Sequence, residues 1–101
     1  MLVEKPLFGK VILLTGASRG IGRAAAIACA KEGAELIITG RTVGALEEVD
    51  DEVKKLGSKS TIVELDSKDL SAIPRLAKAI HDEWGRLDGF IANAGQLGQM
   101  S

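Results

Sequence analysis

The sequence predicts an α/β fold of three layers, with a parallel sheet between two layers of helices. Four short apolar runs alternate with three longer stretches, and in the second and third of these apolar residues recur at helical spacing. The links between them are short, and this βαβαβαβ order winds into a parallel sheet through right-handed crossovers. The first apolar run leads into a glycine-rich turn and then a stretch of small residues. Strand, glycine turn and helix in that order is the context of a phosphate site.

Residues 1–9 read as a lead-in, with Pro6 and Gly9 marking the entry to the first strand. Val11 to Leu14 is uniformly apolar, as expected of a parallel strand covered on both faces. The first helix is predicted from Ile21 to Glu32, stopped by Gly33, with Cys29 inside it as a small buried hydrophobe. Glu35 to Thr39 forms the second strand. Thr42 is a candidate N-cap for the second helix, where Leu46, Val49, Val53 and Leu56 define the inner face before Gly57 ends it. The charged residues between them (Glu47, Glu48, Asp50, Asp51, Glu52, Lys54 and Lys55) read as a solvated face. Thr61 to Leu65 is the third strand. The third helix is expected to begin near Leu70 or Ser71, because Pro74 is tolerated only in a first turn. Ile73, Leu76, Ala77, Ile80 and Trp84 form its apolar stripe. His81 has no companion ligand and reads as a surface residue. Gly85 closes this helix, and Leu87 to Ala92 gives the fourth strand.

In the Rossmann arrangement such a chain orders its strands 3-2-1-4, with a crevice where strands 1 and 4 diverge and the sheet cut off after the fourth strand. The first two helices then share one face and the third alone covers the other. The fourth strand lies at an edge, where Phe90 and Ile91 invite self-association through that edge or through the open sheet face.

The length of 101 residues is that of one domain, spanning 1–101. A net charge of −1 argues against nucleic acid or an anionic membrane as partner. The first residues lack the layout of a signal peptide, and no apolar run approaches the roughly 20 residues of a membrane span. A single cysteine excludes an internal disulfide and a multi-cysteine metal site. No metal site is expected, and the expected compartment is the cytoplasm.

The glycines of Thr15-Gly16-Ala17-Ser18-Arg19-Gly20-Ile21-Gly22 can each be given a task. Gly16 lets the chain leave the strand in a conformation that a side chain would resist. Gly20 and Gly22 allow close approach of a pyrophosphate and close packing of the helix on the sheet. The first helical turn offers N–H groups without internal partners and the positive end of the helix dipole. A plain tight βα turn is the bland alternative. No Gly-Lys-Ser/Thr follows the glycines, so a P-loop phosphotransferase is excluded.

The pattern Thr-Gly-x-x-x-Gly-x-Gly resembles the cofactor signature of the short-chain dehydrogenase/reductase family. Arg41 after the second strand, Asp66 after the third and Asn93-Ala94-Gly95 after the fourth extend the resemblance over nearly the whole chain. It implies an NAD(P)-binding domain whose cofactor site includes Gly16, Ser18, Arg19, Gly20, Ile21, Gly22, Arg41, Asp66, Ser67, Asn93, Ala94 and Gly95. Where an acidic residue would bind the ribose hydroxyls of NAD, this chain has Gly40-Arg41, and Arg19 stands in the glycine turn. Two guanidinium groups there can clamp a 2′-phosphate, so NADP is expected over NAD; two solvated arginines are the alternative. By resemblance Asp66 faces the adenine edge with the backbone of Ser67; a turn or capping role is the other reading. Asn93 is expected to fix the strand end and border the ribose, and Gly95 to admit the nucleotide. The family often has a second asparagine where this chain has Ala92.

In this family a tyrosine in Tyr-x-x-x-Lys supplies the proton during hydride transfer between nicotinamide and a carbonyl or alcohol, and a serine orients the substrate oxygen. The sequence contains no tyrosine, and after the fourth strand its only serine is Ser101. No catalytic residue is assigned. The expectation is therefore the N-terminal, cofactor-binding half of an NADP-dependent oxidoreductase, inactive by itself. The alternatives are a non-catalytic nucleotide-binding module and a structural dimer.

Overall fold

The computed structural model describes residues 6–17, 20–65 and 71–92. Its elements follow in the expected alternation: β1 (Val11–Leu14), α1 (Gly20–Lys31), β2 (Glu35–Gly40), α2 (Val43–Lys55), β3 (Ser60–Glu64), α3 (Ala72–Trp84) and β4 (Gly89–Ile91). All pairings are parallel and the order is β3-β2-β1-β4. Leu13 of β1 lies opposite Ile37 of β2 on one side and Phe90 of β4 on the other. β1 is thus one of the two interior strands, with β2, and is buried along its length, as its unbroken apolar run requires.

The alternation of side chains along the strands divides the core in two. Ile12, Leu14, Leu36 and Ile38 point to the face covered by α1 and α2, where they meet Ala26, Ala30, Leu46, Val49 and Val53. Val11, Leu13 and Ile37 point to the opposite face and meet Ile80 of α3, with Leu76, Trp84 and Leu87 packed around them. Two helices on one face and one on the other is the predicted distribution.

α1 lies close to the sheet for a reason visible in its composition. Its buried positions are Gly22, Ala26 and Ala30, four residues apart on one face, so almost no side chain separates its axis from the strands. Gly33, with φ of 95°, turns the chain out of this helix. α2 buries Leu46, Val49 and Val53, as the helical spacing predicted. Thr42 does occupy the N-cap position, with extended backbone, but its side chain makes no capping hydrogen bond. Pro74 falls in the first turn of α3, whose start at Ala72 lies just beyond the expected one. The third strand is shifted by one residue from prediction and the fourth is shorter. Only Gly89–Ile91 pair with β1, opposite Ile12–Leu14. His81 is exposed, and Cys29 is half-buried against the α1/α2 core, where burial pushes its thiol pKa up.

One expectation fails. The charged face of α2 is not uniformly solvated, because Asp50 is buried. Lys54 Nζ lies 2.8 Å from its Oδ2, one helical turn on, and Ser60 Oγ at the start of β3 donates to its Oδ1. Burial acts to raise the Asp50 pKa, but the hydrogen bonds from Lys54 and Ser60 outweigh it and the net shift is downward. The carboxylate belongs to the α2–β3 junction rather than to the surface.

Candidate functional site at the carboxyl edge of the sheet

In a parallel sheet every helix starts at the carboxyl ends of the strands, and ligands collect there. β1 is continued by Thr15 and Ala17, both buried. The Thr15 amide donates to the Ile91 carbonyl at 3.0 Å and the Ala17 amide to the Thr39 carbonyl at 2.9 Å. Thr39 Oγ1 also donates to the Leu14 carbonyl at 3.3 Å. The exit from β1 is therefore fastened to the ends of β4 and β2 together, at the divergence of strands 1 and 4.

Gly16 and Gly20 take φ of 65° and 64°, the left-handed region that favours glycine. A Cβ built on Gly20 would have no neighbour within 4 Å, so this glycine opens space as well as permitting the turn. Gly20 starts α1, Ile21 beside it is 81% exposed, and Gly22 is buried toward the sheet. At the start of α1, Gly20 and Ile21 thus face outward while Gly22 packs the helix against the sheet.

β2 ends at Gly40, which is buried beneath Leu46; Arg41 follows, exposed, and precedes α2. Arg41 has no ion-pair partner among the described residues. None of α1, α2 and α3 carries an acidic residue in its first turn, so no carboxylate there offsets the positive ends of the helix dipoles. The chemistry of this edge suits an extended anion: backbone N–H groups at a glycine-lined helix start, and a cation on the neighbouring strand end.

Of the site residues expected from sequence, Gly16, Gly20, Ile21, Gly22 and Arg41 are brought to this edge. Ser18, Arg19, Asp66, Ser67, Asn93, Ala94 and Gly95 lie outside the described residues. Their flanks converge on the edge: the Leu65 amide donates to the Gly40 carbonyl at 2.9 Å, and Ile91 pairs with Leu14.

Two supports escaped the sequence reading. Arg23 in α1 reaches across to α2, donating from Nη2 to Glu52 Oε1 at 2.8 Å and from Nε to the same oxygen at 3.2 Å, with Glu48 3.7 Å away. At the amino edge of the sheet, the Val11 amide donates to Asp88 Oδ2 at 2.8 Å, while Arg86 donates to both Asp88 carboxylate oxygens. The Arg86 guanidinium, then the Val11 amide, lower the Asp88 pKa to about 2. The Arg23–Glu52 and Val11–Asp88 links have no local signal, since their partners are distant in sequence, whereas Arg86 and Asp88 are two residues apart.

Among the described residues no group of His, Cys, Asp and Glu could hold a metal ion, and no helix is long and apolar enough to cross a membrane.

A family model described as short chain dehydrogenase matches residues 10–101. An NADP-dependent mannitol dehydrogenase of Hypocrea jecorina is 39% identical over 93 residues, covering 88% of this chain and 35% of the relative. Among solved structures, a hydroxysteroid dehydrogenase from Escherichia coli superposes with a TM-score of 0.80 at 31% identity, over 89% of this chain and 38% of that one. A xylitol dehydrogenase solved with NAD+ bound gives 0.77 at 28% identity, over 85% and 33%. The chain spans about a third of the length of the curated relatives it matches.

Proposed function

The chain belongs to the short-chain dehydrogenase family, and from that premise we propose that it forms the NADP-binding part of a cytoplasmic oxidoreductase. The bound dinucleotide supplies or accepts the hydride exchanged with a carbonyl or alcohol substrate. The residues of this chain bind and orient it. The observation that carries the reading is the start of α1: a glycine-lined helix N-terminus without a first-turn carboxylate, fastened between the ends of β2 and β4. The pyrophosphate lies against the amides from Gly20 onward, with Gly16 shaping the turn and Ile21 and Gly22 bordering it. Ser18 and Arg19 are assigned to the same cofactor site, the Arg19 guanidinium joining Arg41 on a 2′-phosphate. Asp66 and Ser67 hold the adenine edge, and Asn93, Ala94 and Gly95 border the ribose.

NADP is preferred over NAD because the end of β2 offers Gly40 and Arg41 where a carboxylate would repel a 2′-phosphate. Arg41 is exposed and without an ion-pair partner among the described residues, so its guanidinium is available for a charge-assisted contact. Titration with NADPH and NADH tests this directly. The wild-type chain binds NADPH more tightly, and Arg41→Ala loses about 1–3 kcal/mol of that preference, as expected for a hydrogen bond to a charged group. Equal binding of the two nucleotides, or full selectivity in Arg41→Ala, refutes it.

No residue of these 101 is assigned a catalytic role, and the isolated chain is expected to be inactive in hydride transfer. Its β4 edge, with Phe90 48% and Ile91 36% exposed, is the proposed route to a homo-oligomer. A monomer by sedimentation at high concentration refutes that part.

A further inference from the structure

α1 and α2 lie side by side on one face of the sheet, and both begin at its carboxyl edge. Among the described residues, one group of charged side chains joins them. Arg23 of α1 places Nε and Nη2 on a single oxygen of Glu52, with Nη1 toward Glu48. Neither glutamate has another ion-pair partner among the described residues. Both belong to the helix that Arg41 precedes. Glu48 is five residues past the α2 start at Val43 and Glu52 nine, so at 1.5 Å per residue they stand about 7.5 and about 13.5 Å along the axis from it. The nearer carboxylate is within about one Debye length, roughly 8 Å at physiological salt, and the farther one beyond it.

Two unneutralised carboxylates there would oppose a phosphate arriving at the α2 start. A second effect works in the same direction, since they would also compete for the Arg41 guanidinium. Arg23 offsets one of the two charges by lying between them, closer to Glu52 than to Glu48. The pair itself adds little to folding, because its members are half-exposed.

We propose that Arg23 is a specificity-determining positioning residue. By pairing with Glu48 and Glu52 on α2 and offsetting one of their two charges, it allows the Arg41 arm to accept a 2′-phosphate, so the choice of NADP over NAD depends on a side chain that does not touch the nucleotide. The inference rests on the NADP reading above and deepens it.

The test is the ratio of NADPH to NADH affinity, measured by fluorescence titration in wild type, Arg23→Met, Glu48→Gln/Glu52→Gln and the triple variant. Arg23→Met lowers the ratio by roughly two- to fivefold, the size expected for a unit charge acting through solvent-screened space, and the loss shrinks at about 0.5 M salt. Glu48→Gln/Glu52→Gln raises the ratio above wild type, and the triple variant restores at least the wild-type value. An unchanged ratio in Arg23→Met overturns the proposal. A lowered ratio in Glu48→Gln/Glu52→Gln does so as well, because it would mean that Arg23 acts as a mechanical brace. Should Arg23→Met fail to fold, the double glutamine variant, altered only at half-exposed and exposed positions, decides alone. A wild-type ratio of one overturns the NADP reading itself, which distinguishes the two failures.

Discussion

Ile80→Ala removes the one large side chain that α3 buries completely. Ile80 is 1% exposed and meets Val11, Leu13 and Ile37, and the only other buried residue of the helix is Ala72. The change deletes roughly three methylene equivalents at about 0.8 kcal/mol each, or about 2.4 kcal/mol of transfer energy. The cavity adds to this, within the 2–5 kcal/mol range of such truncations. A loss of about 3 kcal/mol is expected, a large fraction of the roughly 5–15 kcal/mol that stabilises a domain of ordinary size. Urea unfolding measures it conveniently, because the single tryptophan, Trp84, packs in the same cluster. With a slope of about 1.5 kcal/mol per molar, the midpoint falls by about 2 M. Hydrogen exchange should accelerate first in α3, ahead of α1 and α2, since its remaining hold is the partly buried packing of Leu76 and Trp84 and the hydrogen bond from Trp84 Nε1 to Glu35 Oε2 at 2.8 Å. A loss below about 1 kcal/mol, or uniform acceleration across the three helices, refutes the claim that Ile80 is the main anchor of this layer.

Acid should destabilise the fold through two carboxylates. Asp50 and Asp88 both have folded pKa values below the ordinary 3.8, so each contributes stability that is complete above its unfolded value and lost as pH falls. For Asp88 the loss runs from about 4 down to about 2, and urea midpoints measured across that window should decline less steeply in Asp88→Asn than in wild type. Asp50→Asn should likewise be less stable than wild type at neutral pH and show a shallower acid decline. Parallel curves for wild type and variants would refute both assignments. Gly20→Ala should cost about 1–2 kcal/mol, all of it backbone strain at φ of 64°, because the new Cβ meets nothing within 4 Å. Gly20→Asn, which tolerates that region, should recover part of the loss in thermal melts.

The elements were legible where the residue pattern itself is the cause of the structure. An unbroken apolar run makes β1 an interior strand, and Leu46, Val49 and Val53 turn α2 toward the core. Gly16 was legible for the same reason, since it does adopt the left-handed backbone that its lack of a Cβ permits; that Gly20 adopts it too was not read from the sequence. What could not be read were the links set by tertiary packing. Arg23 finds Glu52 across 29 residues and Asp88 finds Val11 across 77. Asp50 was misread because its helical neighbours are charged and solvated, while the Ser60 hydroxyl that turns it inward belongs to the next strand. Thr42 shows the limit of residue-type rules, since a good capping residue at the cap position makes no capping bond.

The strand order has a consequence for how this chain is made. β1 is the earliest strand to be synthesised, yet it lies inside the sheet and must wait for both neighbours. β2 follows soon after, but β4 is the last of the described elements, and the Asp88 contact that locks it to β1 closes a loop of 77 residues. A growing chain that holds β1, β2 and β3 but not yet α3 presents β1 as a bare edge, beside the β3 edge that persists, and on the α3 side uncovered Val11, Leu13 and Ile37. Such an edge is a template for pairing with other chains. Long-range closure of this kind is also slow relative to local helix formation. The nascent protein is therefore most vulnerable to aggregation after β3 is made and before α3 and β4 follow, and a chaperone that shields an apolar strand edge would matter most in that interval.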